Sequence, residues 1–319
     1  SPVTYSVTDT AGNTVSALLT VTVSPPGDAV LVLDVSSANH DVTQTVDVLT
    51  NDVAGDASLQ VSSVKICAVT VDSASACSLT SLTVAGEGTY TVNSDGTISF
   101  DPLPTFAGEA SGVKYTVADA TGTFFTPVSY TPTVLPLPVA NPDAQTTGYD
   151  VTQEYTPAAN DSVTAFATSQ GVTLDAASVK LCAGVDVAPD CTASTLTVAG
   201  EGVYTVNGDG SVTFNPDAGF SGEATAVTYS ITDSVGQKVS STITPTIGEP
   251  SPASASADES LDGYDVTQTV DVLTNDIASQ GELLVASSVK LCAGVDVAPD
   301  CTATSLTVAG EGTYTVNSD

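Results

Sequence analysis

An all-β chain built from one repeated domain is predicted by three observations: a long internal period, alternating apolar residues, and regularly spaced turn signals. The period is marked three times over. DVTQ begins at Asp41, Asp150 and Asp265; TVAGEG begins at Thr83, Thr197 and Thr307. VTYSVTDTAG from Val3 returns as VKYTVADATG from Val113 and VTYSITDSVG from Val227. All three markers give a repeat of about 110 residues, the size of an independently folding domain and too long for a solenoid or propeller unit.

The second copy shows the elements most clearly. Residues 138–162 (PVANPDAQTTGYDVTQEYTPAANDS) open it as a linker and a short strand. In VTLDAASVKLCAG, Val179 and Leu181 alternate with Lys180 and Cys182, the period of a strand with one buried face. The loop GVDVAPD lies between two cysteines. TLTVAGEGVYTVN then puts Tyr204 and Val206 on one face. Asn207-Gly208-Asp209-Gly210 is a hairpin signal, because Asn and Gly tolerate positive φ. It leads into SVTF with Val212 and Phe214 inward. A Pro/Gly connection around Phe220 precedes AVTYSIT (Val227, Tyr229, Ile231) and QKVSSTITPTI, joined by a turn at Asp233–Gly236. About seven short strands and no helix-period stretch describe a tandem immunoglobulin-like β-sandwich, repeated along an extended rod. Proline at Pro25–Pro26, Pro136–Pro138 and Glu249–Pro250 marks the joints and stiffens them. The expected organisation is thus residues 1–26 as the closing strands of an incomplete repeat, 27–137 and 138–249 as full repeats, and 250–319 as the opening part of another. The chain reads as a window from a longer array.

Composition bounds the partners. Thirty-seven acidic residues against five lysines and no arginine give a net charge of −32. Such a surface repels phosphate and anionic lipid, which excludes nucleic acid and membrane surfaces, and it attracts cations. No stretch is long and apolar enough to insert in a membrane. The six cysteines fall as Cys67/Cys77, Cys182/Cys191 and Cys292/Cys301, one close pair per copy. Only pairing within each repeat treats the copies alike. Closing a loop of about ten residues stabilises a domain by roughly 2.5–3 kcal/mol in the chain-entropy view. Paired cysteines indicate an oxidising, extracellular setting. Zinc is excluded, since two thiols per copy and one histidine in the chain cannot complete four ligands.

The run SVKLCAGVDVAPDCTASTLTVAGEGVYTVNGDGSVTFNPDAGFSGEATAVTYSITDSVGQ resembles the CshA-type fibril repeats of bacterial fibrillar adhesins. The motifs that carry the likeness are GEGxYTVNxDGxxxFxP, then F-x-G-E-A, then V-x-Y-x-[VI]-x-D. The resemblance implies a giant cell-surface or secreted protein whose repeats form a stalk, with ligand binding in a separate N-terminal region outside this sequence.

Candidate chemistry is sparse. His40, the single histidine, is replaced by Tyr149 and Tyr264 in the later copies and reads as a surface residue rather than a base. No Ser-His-Asp set is repeated. The recurring Asp95/Asp209/Asp319 and Asp9/Asp119/Asp233 read as turn caps rather than a glycosidase carboxylate pair. The absence of tryptophan argues against a sugar platform. Calcium is the cofactor that remains open: Asn141, Asp143, Asp150, Asn160 and Asp161 gather at the entrance of the second repeat, with Asp41, Asn51 and Asp52, and Asp265, Asn275 and Asp276, at equivalent places. Lys65, Lys180 and Lys290 share one phase. They are candidates for an isopeptide bond to Asn51, Asn160 or Asn275, or simply outward-pointing edge lysines. A structural stalk or filament, not an enzyme, is the expected function, its partners being neighbouring repeats and lateral copies of the fibre. The alternative is calcium-dependent binding or self-association through the repeats.

Overall fold

A computed structural model describes residues 1–22 and 27–318; the joint expected at Pro25–Pro26 and the last of the recurring turn aspartates, Asp319, lie outside the described residues. The architecture is all-β, with twenty-two strands and one short α-helix among the described residues. Two compact units are present, Ser1–Leu137 with Val163–Thr173, and Pro138–Ser162 with Leu174–Asp319.

The first unit opens with an exposed antiparallel hairpin, β1 (Val3–Thr8) and β2 (Thr14–Leu19). Nine strands follow: β3 (Asp34–Ala38), β4 (Gln44–Val46), β5 (Lys65–Ala68), β6 (Ser81–Val84), β7 (Gly88–Val92), β8 (Ile98–Pro102), β9 (Gly108–Glu109), β10 (Val113–Thr116) and β11 (Val128–Val134). One sheet runs β3-β11-β10-β5 with β9 on β11; the other runs β4-β8-β7-β6. β3 and β11, the first and last strands of the domain, pair in parallel, so the opening and closing segments are bound side by side. The core lies between the sheets. Ile66, Tyr90, Ile98, Phe100, Tyr115 and Tyr130 are fully buried there, and Ser99, between Ile98 and Phe100, is not. Tyr90 and Phe100 lie 4.6 Å apart between ring centres, and Tyr130 meets Tyr90 edge-on at 6.1 Å.

The second unit repeats the plan with β12 (Asp143–Thr147), β13 (Gln153–Tyr155), β14 (Leu174–Leu181), β15 (Thr195–Val198), β16 (Gly202–Val206), β17 (Val212–Pro216), β18 (Gly222–Glu223), β19 (Val227–Asp233) and β20 (Lys238–Ile247). Its sheets are β12-β20-β19-β14, with β18 on β20, and β13-β17-β16-β15. Val179, Leu181, Tyr204, Val212, Phe214, Tyr229 and Ile231 are all buried, the phase that alternation predicts. A hairpin of β21 (Ser305–Val308) and β22 (Gly312–Thr315) follows.

Two features depart from the strand pattern. Nine strand segments replace the expected seven, since β9 and β18 are only two residues long and carry no alternation. Residues Ala165–Ser169 form a helix, α1, too short to show a period of 3.6. Thr164 caps it by accepting from the Ala167 amide. Ala167 and Val172 bury against Leu135, which is why Val163–Thr173 groups with the first unit.

Candidate functional site: a buried acid–tyrosine node

In both complete repeats the aspartate of the Asn-Asp pair that closes the opening segment meets a tyrosine from the penultimate strand of the domain. In the second unit the Tyr229 hydroxyl is 2.8 Å from Asp161 Oδ2 and 3.0 Å from the Asn141 carbonyl. The Asn141 amide donates to Asp161 Oδ1 at 2.7 Å, and its side-chain amide donates to the Asn160 carbonyl at 2.7 Å. Asn160 Nδ2 donates in turn to the Pro142 carbonyl and to Asp143 Oδ1, both at 3.2 Å. The first unit has the same plan. The Tyr115 hydroxyl lies 2.8 Å from the Val48 carbonyl and 3.1 Å from Asp52 Oδ2. Val32 N donates to Asp52 Oδ1 at 2.7 Å, and Asn51 Nδ2 to the Leu33 carbonyl at 3.1 Å. Residues 250–318 carry the first half of the node: Ser256 N donates to Asp276 Oδ1 at 2.8 Å and Asn275 Nδ2 to the Ala257 carbonyl at 3.1 Å.

Asn141, Asp143, Asn160 and Asp161 are therefore brought together. Asp150 is not. It follows β12 at the end opposite Asp143, about 13 Å of strand away. There it takes a left-handed turn (φ +56°), as do Asp41 (φ +58°) and Asp265 (φ +62°). Asp tolerates that conformation because its short side chain bonds locally. Its place in DVTQ is architectural, and its membership of the calcium set is corrected by the direction of β12.

The node is electrostatically costly. Burial raises the Asp143 carboxyl to about 6, and the charge of Asp161 adds to the rise. Burial likewise raises Asp34 to about 6 against the opposing effect of Tyr115, with Asp52 contributing. Asp52 and Asp161 are raised by burial as well. A folded-state pKa above the ordinary carboxylate value means that the fold binds extra protons between pH 4 and 6. Its stability therefore falls as pH rises through that window, and the penalty is complete above about 6. By contrast, Asp95, Asp119 and Asp209 are lowered by hydrogen bonds within their own turns, so they cost stability only when pH falls below the ordinary value. In chelator, urea midpoints at pH 5 should exceed those at pH 7.5 by the equivalent of roughly 1–3 kcal/mol per domain. A flat or rising profile between those two values would refute it.

The recurring turn aspartates cap backbone amides. Asp9 Oδ1 accepts from Ala11 N and Asn13 N, Asp119 Oδ1 from Thr121 N and Thr123 N, and Asp233 Oδ1 from Val235 N and Gln237 N, at 2.8–3.0 Å. Asp95 and Asp209 accept from Thr97 N and Ser211 N. His40 lies in the turn between β3 and β4.

The cysteines join as Cys67–Cys77, Cys182–Cys191 and Cys292–Cys301. Each bridge clips the loop that crosses from one sheet to the other, from β5 to β6 and from β14 to β15 in the complete domains. Asp186 fills the second loop, accepting from Ala183 N and Thr192 N, and Asp296 does the same in the third. The two lysines outside the repeating phase hold these loops down: Lys114 pairs with Asp72, and Lys238 with Asp190 at 2.8 Å. Lys65 and Lys180 lie in β5 and β14, where Lys180 alternates with the buried Val179 and Leu181; Lys290 is exposed. The side-chain amide of Asn160 donates to the Pro142 carbonyl and to Asp143 Oδ1.

A role that sequence inspection misses belongs to the glutamine of DVTQ. Gln44 is buried and donates to the Thr133 carbonyl at 2.8 Å, and Gln153 donates to the Thr246 carbonyl at 2.9 Å. Each therefore ties the second sheet to the last strand of the first. The phenol of Tyr155 donates to the free oxygen of Gln153. The only available signal was the return of glutamine at a strand position where apolar residues are usual.

Among the described residues no group of three or more His, Cys, Asp or Glu is arranged around a metal position, and no helix is long and apolar enough to cross a membrane. What the two complete copies share is architecture: node, glutamine tie, clipped loop and capped turns. The family model that matches this chain is that of the surface adhesin CshA repetitive domain, over residues 32–134 and 137–247. The chain belongs to that family. The two CshA repeats so defined coincide with the two complete sandwiches. Among solved structures, the chain is similar to an I-band fragment of titin (11% identity, 72% of this chain and 71% of that chain, TM-score 0.30). It is also similar to the ectodomain of human desmocollin-1 (10% identity, 76% and 46%, TM-score 0.27). No curated protein sequence matches the chain. CshA repeats with disulfides place this segment at the cell surface or outside the cell.

Proposed function

We propose that this segment is a load-bearing stalk that holds an adhesive region, outside this sequence, away from the bacterial surface. The observation that carries the reading is that each prominent polar feature is a brace copied from one domain to the next, with no polar cluster peculiar to one copy. Parallel pairing of β3 with β11 and of β12 with β20 supports it further. The strands through which force enters and leaves each sandwich are hydrogen-bonded along five residue pairs and would have to be sheared together. The family and the fold are of a structural, non-catalytic kind.

Pulling the chain from its two ends tests the proposal. Two sawtooth unfolding events should appear, each releasing about 300 Å of chain at about 3.3–3.6 Å per residue. Reduction should lengthen each event by about 30 Å, because the bridges withhold nine or ten residues from extension. It should also lower the stability of each domain by roughly 2.5–3 kcal/mol. Extension at low force without discrete events would rule out the load-bearing role.

A further inference from the structure

The node contains an anomaly that the stalk reading leaves unexplained. Asp34 is only 8% exposed, yet its Oδ2 has no hydrogen-bond partner among the described residues, and Asp143 Oδ2, at the same place in the next domain, has none either. An ionised carboxylate oxygen there has no donor. A protonated one would be a buried donor without an acceptor. Both states carry the cost of an unsatisfied buried polar atom.

Counter-charge from the protein is missing as well. The groups around the first node are Asp34, Asp47, Asp52 and Tyr115, with Tyr130 behind them; around the second they are Asp143, Asp161, Tyr155 and Tyr229. All are acidic or neutral. The chain has no arginine, and its five lysines are engaged or placed elsewhere: Lys114 of β10 and Lys238 of β20 pair with aspartates of the disulfide loops, two lie in β5 and β14, and one is exposed.

We infer that each complete domain binds one calcium ion at this node, held by Asp34, Asp52 and Asn51 in the first domain and by Asp143, Asp161 and Asn160 in the second. The donor set is oxygen only: two carboxylates, the amide oxygen left free when Asn160 donates through Nδ2, and main-chain carbonyls that gather at the tyrosine hydroxyl. Hard oxygen donors in an irregular arrangement suit calcium better than magnesium, which requires a near-ideal octahedron, or zinc, which favours nitrogen and sulfur. A net charge of −32 concentrates divalent cations around the chain. The ion joins the first strand of each sandwich to the Asn-Asp pair that closes its opening segment.

Calorimetric titration of calcium into the whole chain in low-salt buffer is the test. Two equivalents should bind with dissociation constants of about 10⁻⁴–10⁻³ M, the range of extracellular modules. Residues 250–318 lack the tyrosine strand and should add no third site. Asp34→Asn and Asp143→Asn should each remove one equivalent, and the double variant both. Terbium should replace calcium and luminesce on excitation of tyrosine, through Tyr115 and Tyr229. Saturating calcium should also reverse the pH trend, so that stability rises from pH 5 to 7.5 as the ligands lose their protons. No uptake at calcium ten times the weaker limit overturns the inference, whatever the variants do. So does uptake that the double variant retains, which would mark diffuse binding to the acidic surface.

Discussion

Replacing Gly210 by alanine should abolish folding of the second domain. Gly210 ends the Asn207–Gly210 turn with φ +85°, in the left-handed region that a Cβ disfavours. Space is the larger obstacle. A Cβ there would stand 1.8 Å from the Ala176 carbonyl oxygen and 2.6 Å from its carbon, both main-chain atoms with no flexible end to swing aside. The hairpin would have to leave the β14 segment, and with it would go the register that buries Val212 and Phe214. The expected loss is at least about 4 kcal/mol, the range reserved for strained or overpacked cores. Gly208, two residues earlier, is the internal control. Its φ is not positive and nothing lies within 4 Å of its would-be Cβ, so Gly208→Ala should stay within about 0.5 kcal/mol. Denaturation followed by tyrosine fluorescence separates the two, since the chain has no tryptophan to obscure it. Equal stability of the two variants would show that the close approach at Ala176 is not structural.

The second large effect concerns two neighbouring carboxylates of one node and has opposite signs. Asp161→Ala removes the acceptor of the Asn141 amide, leaving that donor unsatisfied beneath the opening segment, and leaves the Tyr229 hydroxyl with only the Asn141 carbonyl at 3.0 Å. A loss of roughly 2–5 kcal/mol is expected. Asp143→Asn should do the reverse. In chelator at pH 7.5 it removes a charge that the fold penalises and leaves the Asp161 bonds intact, raising stability by roughly 1 kcal/mol or more. At pH 5, where Asp143 is protonated in the fold, that gain should fade. Urea midpoints of both variants at both values are sufficient. If the two substitutions shifted stability in the same direction, the division of labour between these aspartates would be wrong.

The two sets of residues behind these predictions differ in how visible they are in the chain. Alternation made Val179, Leu181, Tyr204, Val212, Phe214, Tyr229 and Ile231 recognisable as core, and the Asn-x-Asp-Gly string made its hairpin recognisable, because both signals lie within a few consecutive residues. The cysteine pairs were legible for the same reason, being nine or ten residues apart and repeated. The node was legible only as a list of polar residues at a domain entrance. That list wrongly held Asp150 and lacked Tyr229, which stands 68 residues from Asp161 and 88 from Asn141. Gln153 and the lysines that grip the clipped loops were missed on the same account, since their partners are 42–93 residues away.

By itself, then, the sequence determined the class of fold, the size and repetition of the domain, the compartment implied by the cysteines, and the poverty of catalytic groups. These follow from periodicity, composition and copying, which need no knowledge of what lies across the core. Only the tertiary structure decided which acids converge and which glycine admits no side chain, and it alone assigned the glutamine that ties the sheets. Those facts depend on strands distant in sequence meeting at one register, where a shift of one residue would point every side chain to the other face.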